Sequence, residues 1–158
     1  MRQIHFLAWS LLSIWLSACA SFQAAGDIAH GRQALIQGNN QAALGYFQAA
    51  YQVDPAYIYG TELHQGVLSY LGRAQYLTGN YAQARSTLER ALSQNQSDNI
   101  ARLYLGLTLA RQGETQKALP NIDMGMKGIY DFSELYNGHI QVRVWPILGS
   151  IARHPLSD

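Results

Sequence analysis

The 158-residue sequence has a single cysteine, so an intramolecular disulfide and a cysteine-built zinc site are both excluded. Charge is scarce, at 13% of residues, and neither sign dominates, with eleven Lys and Arg against ten Asp and Glu. The basic residues are scattered along the chain, which removes the electrostatic stripe of a nucleic-acid binder. The five histidines, His5, His30, His64, His139 and His154, stand far apart, and none forms the spaced pair of a helical metal site. Neither a Gly-x-Ser-x-Gly elbow nor a phosphate-cradling Gly-Lys-Ser occurs. Asp131 and Glu134 have helical spacing, but a Gly-flanked connector suits a solvated or capping pair better than a general acid and base. No catalytic residue, metal or cofactor is therefore expected. Convincing period-two alternation is missing too, so strands are not expected. What is abundant is apolar side chain: at 48% hydrophobic, the chain has the material for one modest core.

The one cysteine takes its meaning from its position. Met1 and Arg2 give a positive start, and Ile4 to Leu16 carry Phe6, Leu7, Trp9, Leu11, Leu12, Ile14 and Trp15 without a Lys, Arg or acid. This is the charged and apolar order of a secretory signal, and it is shorter than the roughly 20 residues of a membrane-spanning helix. It ends in Leu16-Ser17-Ala18-Cys19, which resembles the lipobox of bacterial lipoproteins. The resemblance implies cleavage after residue 18, with thioether lipidation of Cys19 and acylation of its amino group with palmitate-type chains. An ordinary signal peptide, with Cys19 left as an incidental thiol, is the alternative. Ala20 in place of Asp resembles the sorting signal for the outer rather than the inner membrane, so the periplasmic face of the outer membrane is the expected location. Residues 19–26, small and polar beyond the cysteine, read as the lipidated start and a tether.

A pattern then occurs three times: Gly, six residues, Gly, four residues, Ala, three residues, a large apolar residue, two residues, a small residue. The copies use Gly31, Gly38, Ala43, Phe47 and Ala50; Gly72, Gly79, Ala84, Leu88 and Ala91; and Gly106, Gly113, Ala118, Ile122 and Gly125. The second and third are offset by 34 residues, and Asp54-Pro55 closes the first copy. Over about residues 27–128 the pattern resembles the tetratricopeptide repeat family. Each position also has a physical reason. The first glycine and the alanine let antiparallel helices approach closely. The second glycine supplies a left-handed helix end, and Asn40, Asn80 and Thr115 follow as N-caps, with Asn80 and Gln83 spaced as a capping box.

First helices are thus expected near 27–37, 65–78 and 98–112, with Asp98 as the N-cap of the last, and second helices near 41–53, 81–94 and 116–127. The family resemblance implies an all-α, right-handed solenoid of about three helix pairs. Residues 129–158, with Ile129, Tyr130, Phe132, Leu135, Val142, Val144, Trp145, Ile147, Leu148 and Ile151, are expected to cap it, Trp145-Pro146 opening a last short helix.

Two places strain the pattern. The first-to-second offset is 41, and the seven extra residues, within 55–64, match almost two helical turns, so a longer helix after Pro55 is favoured over a loop presenting Tyr57 and Tyr59. Gly60 counts against that helix. In the third copy Pro120 is expected to bend or delay the helix, and Gly125 and Gly128 to weaken it.

A solenoid of this kind lines its concave face with first helices. Positions one, four and five beyond Gly31, Gly72 and Gly106 fall there, and among them Arg32, Arg73, Tyr76 and Arg111 are the candidate partner-binding residues. Family members that clamp a peptide's terminal carboxylate use Lys, Asn and Arg on this face; Tyr70 and Tyr104 stand among the corresponding positions here, which speaks against that mode. The expected function is a scaffold or assembly factor that binds a protein or peptide of the cell envelope. Self-association as a structural subunit is the alternative. A carbohydrate-binding or enzymatic envelope protein is a third class and requires Tyr57, Tyr59, Tyr130, Tyr136 and Trp145 to gather round an acidic pocket.

Overall fold

The computed structural model describes residues 21–60 and 65–137. Helix α1 runs through residues 21–36 and is followed by α2 (Asn40–Val53), a two-stranded hairpin of β1 (Ile58–Tyr59) and β2 (Gln65–Gly66), α3 (Val67–Leu77), α4 (Tyr81–Gln94), α5 (Asn99–Arg111) and α6 (Thr115–Asn137). The helices form three antiparallel pairs, α1/α2, α3/α4 and α5/α6, each packing on the next.

The tight turns within the pairs share one geometry. Gly38, Gly79 and Gly113 sit at φ of 75°, 81° and 82°, a left-handed backbone that any side chain would strain. The next residue sends its N–H back five positions: Asn39 to the carbonyl of Ala34, Asn80 to Gln75, and Glu114 to Leu109, at 2.9, 2.8 and 3.0 Å. This is the Schellman closure of a helix end. The same three residues then open the second helices, their carbonyls accepting from Ala43, Ala84 and Ala118. The helix-opening position is therefore residue 39, 80 or 114 rather than Asn40 or Thr115, because a single residue closes one helix and starts the next. Asn39 Oδ1 accepts from the N–H of Ala42 at 3.0 Å, whereas the Asn80 side chain donates to Thr78 Oγ1 and makes no cap bond.

The first glycine of each copy meets the large apolar residue of its partner helix. A Cβ on Gly72 would lie 2.5 Å from Leu88 Cγ, and one on Gly106 2.7 Å from Ile122 Cγ1; Gly31 faces the Phe47 ring in the same way. Phe47, Leu88, Ala43 and Ala84 are fully buried. Two core clusters result. One, around Ile28, Phe47, Val67 and Leu71, joins α1, α2 and α3; the other, around Leu68, Leu88, Leu105 and Leu109, joins α3, α4 and α5 with Ala118 of α6. Helix α3 contributes to both, which makes the stack continuous. Each fully buried Phe or Leu contributes about 1.5–3 kcal/mol.

Four expectations are corrected. Residues 21–26 are helical rather than a tether, because Ala24 is fully buried in the first cluster. The stretch after Pro55 is a hairpin rather than a helix. Asp54 turns extended, its Oδ1 accepts from the N–H of Ala56, and Val67 N–H bonds the carbonyl of Tyr57, while Gly60 takes a φ of 80°. Short strands therefore do occur, paired antiparallel with Ile58 opposite Gly66 and Tyr59 opposite Gln65. The equivalent turn after α4, with Asn95 Oδ1 accepting from Ser97 N–H, leads directly into α5, so the seven extra residues belong to the hairpin.

The fourth correction concerns α6, which runs unbroken past residue 127 to Asn137 with Pro120 inside it. Gly125 and Gly128 do not weaken it; they let it lie against α5. A Cβ on Gly125 would come within 2.7 Å of the Leu103 backbone nitrogen, and one on Gly128 would overlap the Asn99 side chain. Of the expected capping residues, Ile129 and Phe132 are half-buried and Tyr130 is exposed. Leu135 and the residues beyond 137, with Trp145 and Pro146, lie outside those whose side chains are described, as do residues 1–20 with Cys19.

Candidate functional site

The inner face begins with the residues that helix geometry aligns one turn apart. Tyr70, Arg73 and Tyr76 of α3 and Tyr104 and Arg111 of α5 share one side of adjacent first helices. The Arg73 guanidinium lies over the Tyr104 ring, 5.3 Å from its centroid. Tyr104 meets Tyr76 edge to face at 5.6 Å, and Arg111 Nε donates to Tyr76 Oη at 3.5 Å. That hydrogen bond, ahead of the electrostatic effect of Tyr76 and Tyr81, pushes the Arg111 pKa up, so its charge is secure at any physiological pH. Arg73, Tyr104, Tyr76 and Arg111 are thus linked in a chain of contacts, Tyr104 and Tyr76 lying between the two arginines.

Arg32 stands apart, over the Tyr59 ring at 4.8 Å from the centroid. Tyr59 belongs to the hairpin and meets Tyr70 edge to face at 6.2 Å. Tyr70 is buried, and its ring packs on Phe47 at 5.3 Å. Burial is the main reason its pKa rises to about 12; nearby Arg32 and Arg73 act in the opposite direction, and the hydroxyl stays neutral. The face consequently runs from Arg32 through Tyr59, Tyr70, Arg73, Tyr104 and Tyr76 to Arg111, with two phenols between successive guanidiniums. The hairpin and the groove are one surface, joined by Tyr59.

Sequence spacing pointed to the four residues Arg32, Arg73, Tyr76 and Arg111 but not to Tyr59, whose place depends on a hairpin that the spacing did not reveal. Tyr104 carried a signal, since it lies at the position equivalent to Tyr70 in the next repeat. The remaining candidate chemistry does not assemble. Asp131 accepts from Lys127 Nζ at 2.7 Å and Glu134 from Tyr130 Oη at 3.0 Å, both at the surface of α6. Tyr57 and Tyr59 pack on the first core cluster, away from exposed Tyr130, while Tyr136 and Trp145 lie outside the described side chains. Among the described residues no cluster of His, Cys, Asp or Glu has the makings of a metal site, and no helix is long and apolar enough to cross a membrane.

One buried acid is structural. Asp98 caps α5, its Oδ1 accepting from Ala101 N–H at 2.9 Å, and Ser69 Oγ donates to its other oxygen. Burial raises its pKa, against the opposing pull of those hydrogen bonds. It also lines a cleft of about 560 Å³ between the hairpin, the start of α5 and the late turns of α6, with Ile58, Gln65 and Phe132 among the other walls.

Three antiparallel helix pairs, stacked through α3 and presenting their first helices on one face, define an all-α solenoid. Residues 34–105 match the family model described as Tetratricopeptide repeat, which supports that family for the repeat region. Among solved structures, the Arabidopsis OM64 TPR domain is similar in fold, with a TM-score of 0.59 at 12% identity over 77% of this chain and 99% of that one. No curated protein sequence matches. Domains of this family bind protein partners, and their repeats form extended concave binding surfaces.

Proposed function

We propose that this chain is a lipid-anchored scaffold or assembly factor at the periplasmic face of the bacterial outer membrane, binding an envelope protein through the face that carries Arg32, Arg73, Tyr76 and Arg111. The observation that carries the reading is the chain of contacts from Arg73 through Tyr104 and Tyr76 to Arg111 across adjacent first helices. Arg and Tyr at the centre of a face are the residue types that supply most of the binding energy at protein interfaces. The anchor is supported by the Leu16-Ser17-Ala18-Cys19 sequence, since several acyl chains at about 0.8 kcal/mol per buried methylene hold a protein firmly at a membrane. This is a binding role rather than an enzymatic one.

The test is in-cell crosslinking followed by affinity capture, comparing the full-length chain with a variant in which Arg32, Arg73, Tyr76 and Arg111 are all Ala and whose helicity is unchanged by circular dichroism. A discrete envelope protein, captured by the first and lost by the second, is the expected result. Capture that survives the four substitutions removes this face from the proposal. For the anchor, incorporation of an alkyne-tagged palmitate should be abolished by Cys19→Ser; an unlabelled parent chain would refute it.

Self-association is the second reading, and the observation in its favour is that Leu119, Met126 and Tyr130, which helical spacing places on one face of α6, are all exposed. Sedimentation of the detergent-solubilised chain decides it, a monomer at all concentrations removing this reading.

A further inference from the structure

Arg32, Arg73 and Arg111 of the inner face have no acid partner among the described residues, as is also true of Arg90 and Arg102 elsewhere, which donate to Tyr51 Oη and the carbonyl of Gln96. Arg85, on α4, is held by Glu89 at 2.9 Å and by Glu114, which Lys117 also contacts at 2.7 Å. Among the described residues, Arg32, Arg73 and Arg111 have no ion pair at all. The nearby carboxylate of Asp98 is spent on Ala101 N–H and Ser69 Oγ. Arg73 is half-buried, and its Nε is wholly buried without an acceptor. A guanidinium drawn partly out of water with no counter-charge is costly, and an incoming anion offsets that cost.

The tyrosines determine how such an anion is met. A guanidinium lying on an aromatic ring keeps its N–H donors in its own plane and loses much of its rotational freedom, so its fork is oriented before a ligand arrives. Arg32 on Tyr59 and Arg73 on Tyr104 are arranged in this way on successive repeats. Two spaced forks along a groove match carboxylates spaced along an extended chain, and the intervening phenols suit the backbone and apolar side chains between them.

We propose that this face binds an extended acidic peptide segment, gripping its side-chain carboxylates with the tyrosine-stacked forks of Arg32 and Arg73, independently of any free C-terminus. The proposal rests on the inner face being the partner surface and specifies the chemistry of the partner. The acid-binding surface spans the hairpin and the repeats, since Tyr59 supports one of its two forks.

The experiment is fluorescence anisotropy with the full-length, detergent-solubilised protein. The probes are fluorescein-labelled twelve-residue peptides of one design, with Glu, Gln or Lys at four fixed positions, each made with a free and an amidated C-terminus. The Glu peptide should bind at least about tenfold more tightly than the Gln peptide, the Lys peptide most weakly, and amidation should change nothing. Affinity for the Glu peptide should fall as salt is raised. Arg32→Gln and Arg73→Gln should each weaken it by about tenfold, and Arg→Lys at either position by a smaller factor, since the charge remains but the planar fork is lost. Arg85→Gln, which makes the same charge change on α4, should leave it unaltered. Equal binding of Glu and Gln peptides, dependence on the free terminus, or equal loss in Arg85→Gln overturns the proposal. If crosslinking captures a partner through this face while Glu and Gln peptides bind alike, acidic recognition fails and the scaffold reading stands. If the Arg-to-Lys variants bind as tightly as the parent chain, charge alone suffices and the stacked fork is overturned as the feature that matters.

Discussion

The second and third helix pairs close by different means. Helix α3 meets α4 at one glycine, Gly72, and what lies against it is the Leu88 side chain. Helix α5 meets α6 at three, Gly106, Gly125 and Gly128, and at the first two backbone atoms stand within 3 Å of where a Cβ would be: Ala118 oxygen at 2.9 Å and Leu103 nitrogen at 2.7 Å. The pair that looks degenerate in sequence is the one packed backbone to backbone. Glycine there exchanges helix propensity, about 1 kcal/mol per position, for closeness between helices. A departure from a repeat pattern is thus not always a loss of structure.

The largest difference should appear on adding one methyl group to each pair. Gly125→Ala has no side chain to push aside, only the Leu103 backbone, and is expected to cost about 3 kcal/mol. Gly72→Ala meets a leucine that can turn and regains helix propensity, so its net cost should be about 1 kcal/mol. Urea unfolding at constant m-value measures both. Equal costs would mean that α5 and α6 move apart freely and that the distinction between the pairs is false.

Asp98 joins the two pairs, capping α5 while accepting from Ser69 of α3, and it sharpens the comparison through pH. Because burial raises its folded pKa above the unfolded value, the folded state holds the proton more tightly. Its contribution to stability is full below the unfolded pKa, about 4, and is lost as pH rises through the folded one. Asp98→Asn keeps an N-cap acceptor and removes the charge. Its stability relative to the parent should therefore rise with pH from about 4 and level off above the folded pKa. A flat difference across that window would show that Asp98 is no more easily protonated in the fold than in the open chain. The smallest effect is expected at exposed Pro120, where α6 lacks the backbone bond to the carbonyl of Gln116. Pro120→Ala should stabilise the third pair by about 1 kcal/mol, less than the full helix-propensity difference because α6 already accommodates the proline. A loss of stability would mean that the proline's fixed backbone helps fit α6 to α5.

Much of this fold was legible because its signals are local. Gly38, Gly79 and Gly113 announced their turns since few other residues adopt that backbone, and Asp98 announced its helix by preceding an apolar run. Two errors came from reading local signals where distant contacts prevail. The seven extra residues within 55–64 come to almost two helical turns in length, yet the described residues there belong to a hairpin that places Tyr59 against Tyr70 and beneath Arg32. Gly125 and Gly128 disfavour a helix in isolation, yet they permit the contact with α5 that holds α6 in place.

The inner face shows the same division. Spacing placed Arg32, Arg73, Tyr76 and Arg111 on first helices because a helix repeats every 3.6 residues whatever surrounds it. Which of them cluster depended on how one repeat leans on the next, which brought Tyr104 under Arg73 and left Arg32 to the hairpin. By itself the sequence determined the repeating unit and the turns within each pair, since each is written in neighbouring residues. Only the tertiary structure decided that the hairpin completes the groove, that the third pair packs backbone to backbone, and that the inner arginines lack acids, because those facts depend on which distant residues the stacked helices bring together.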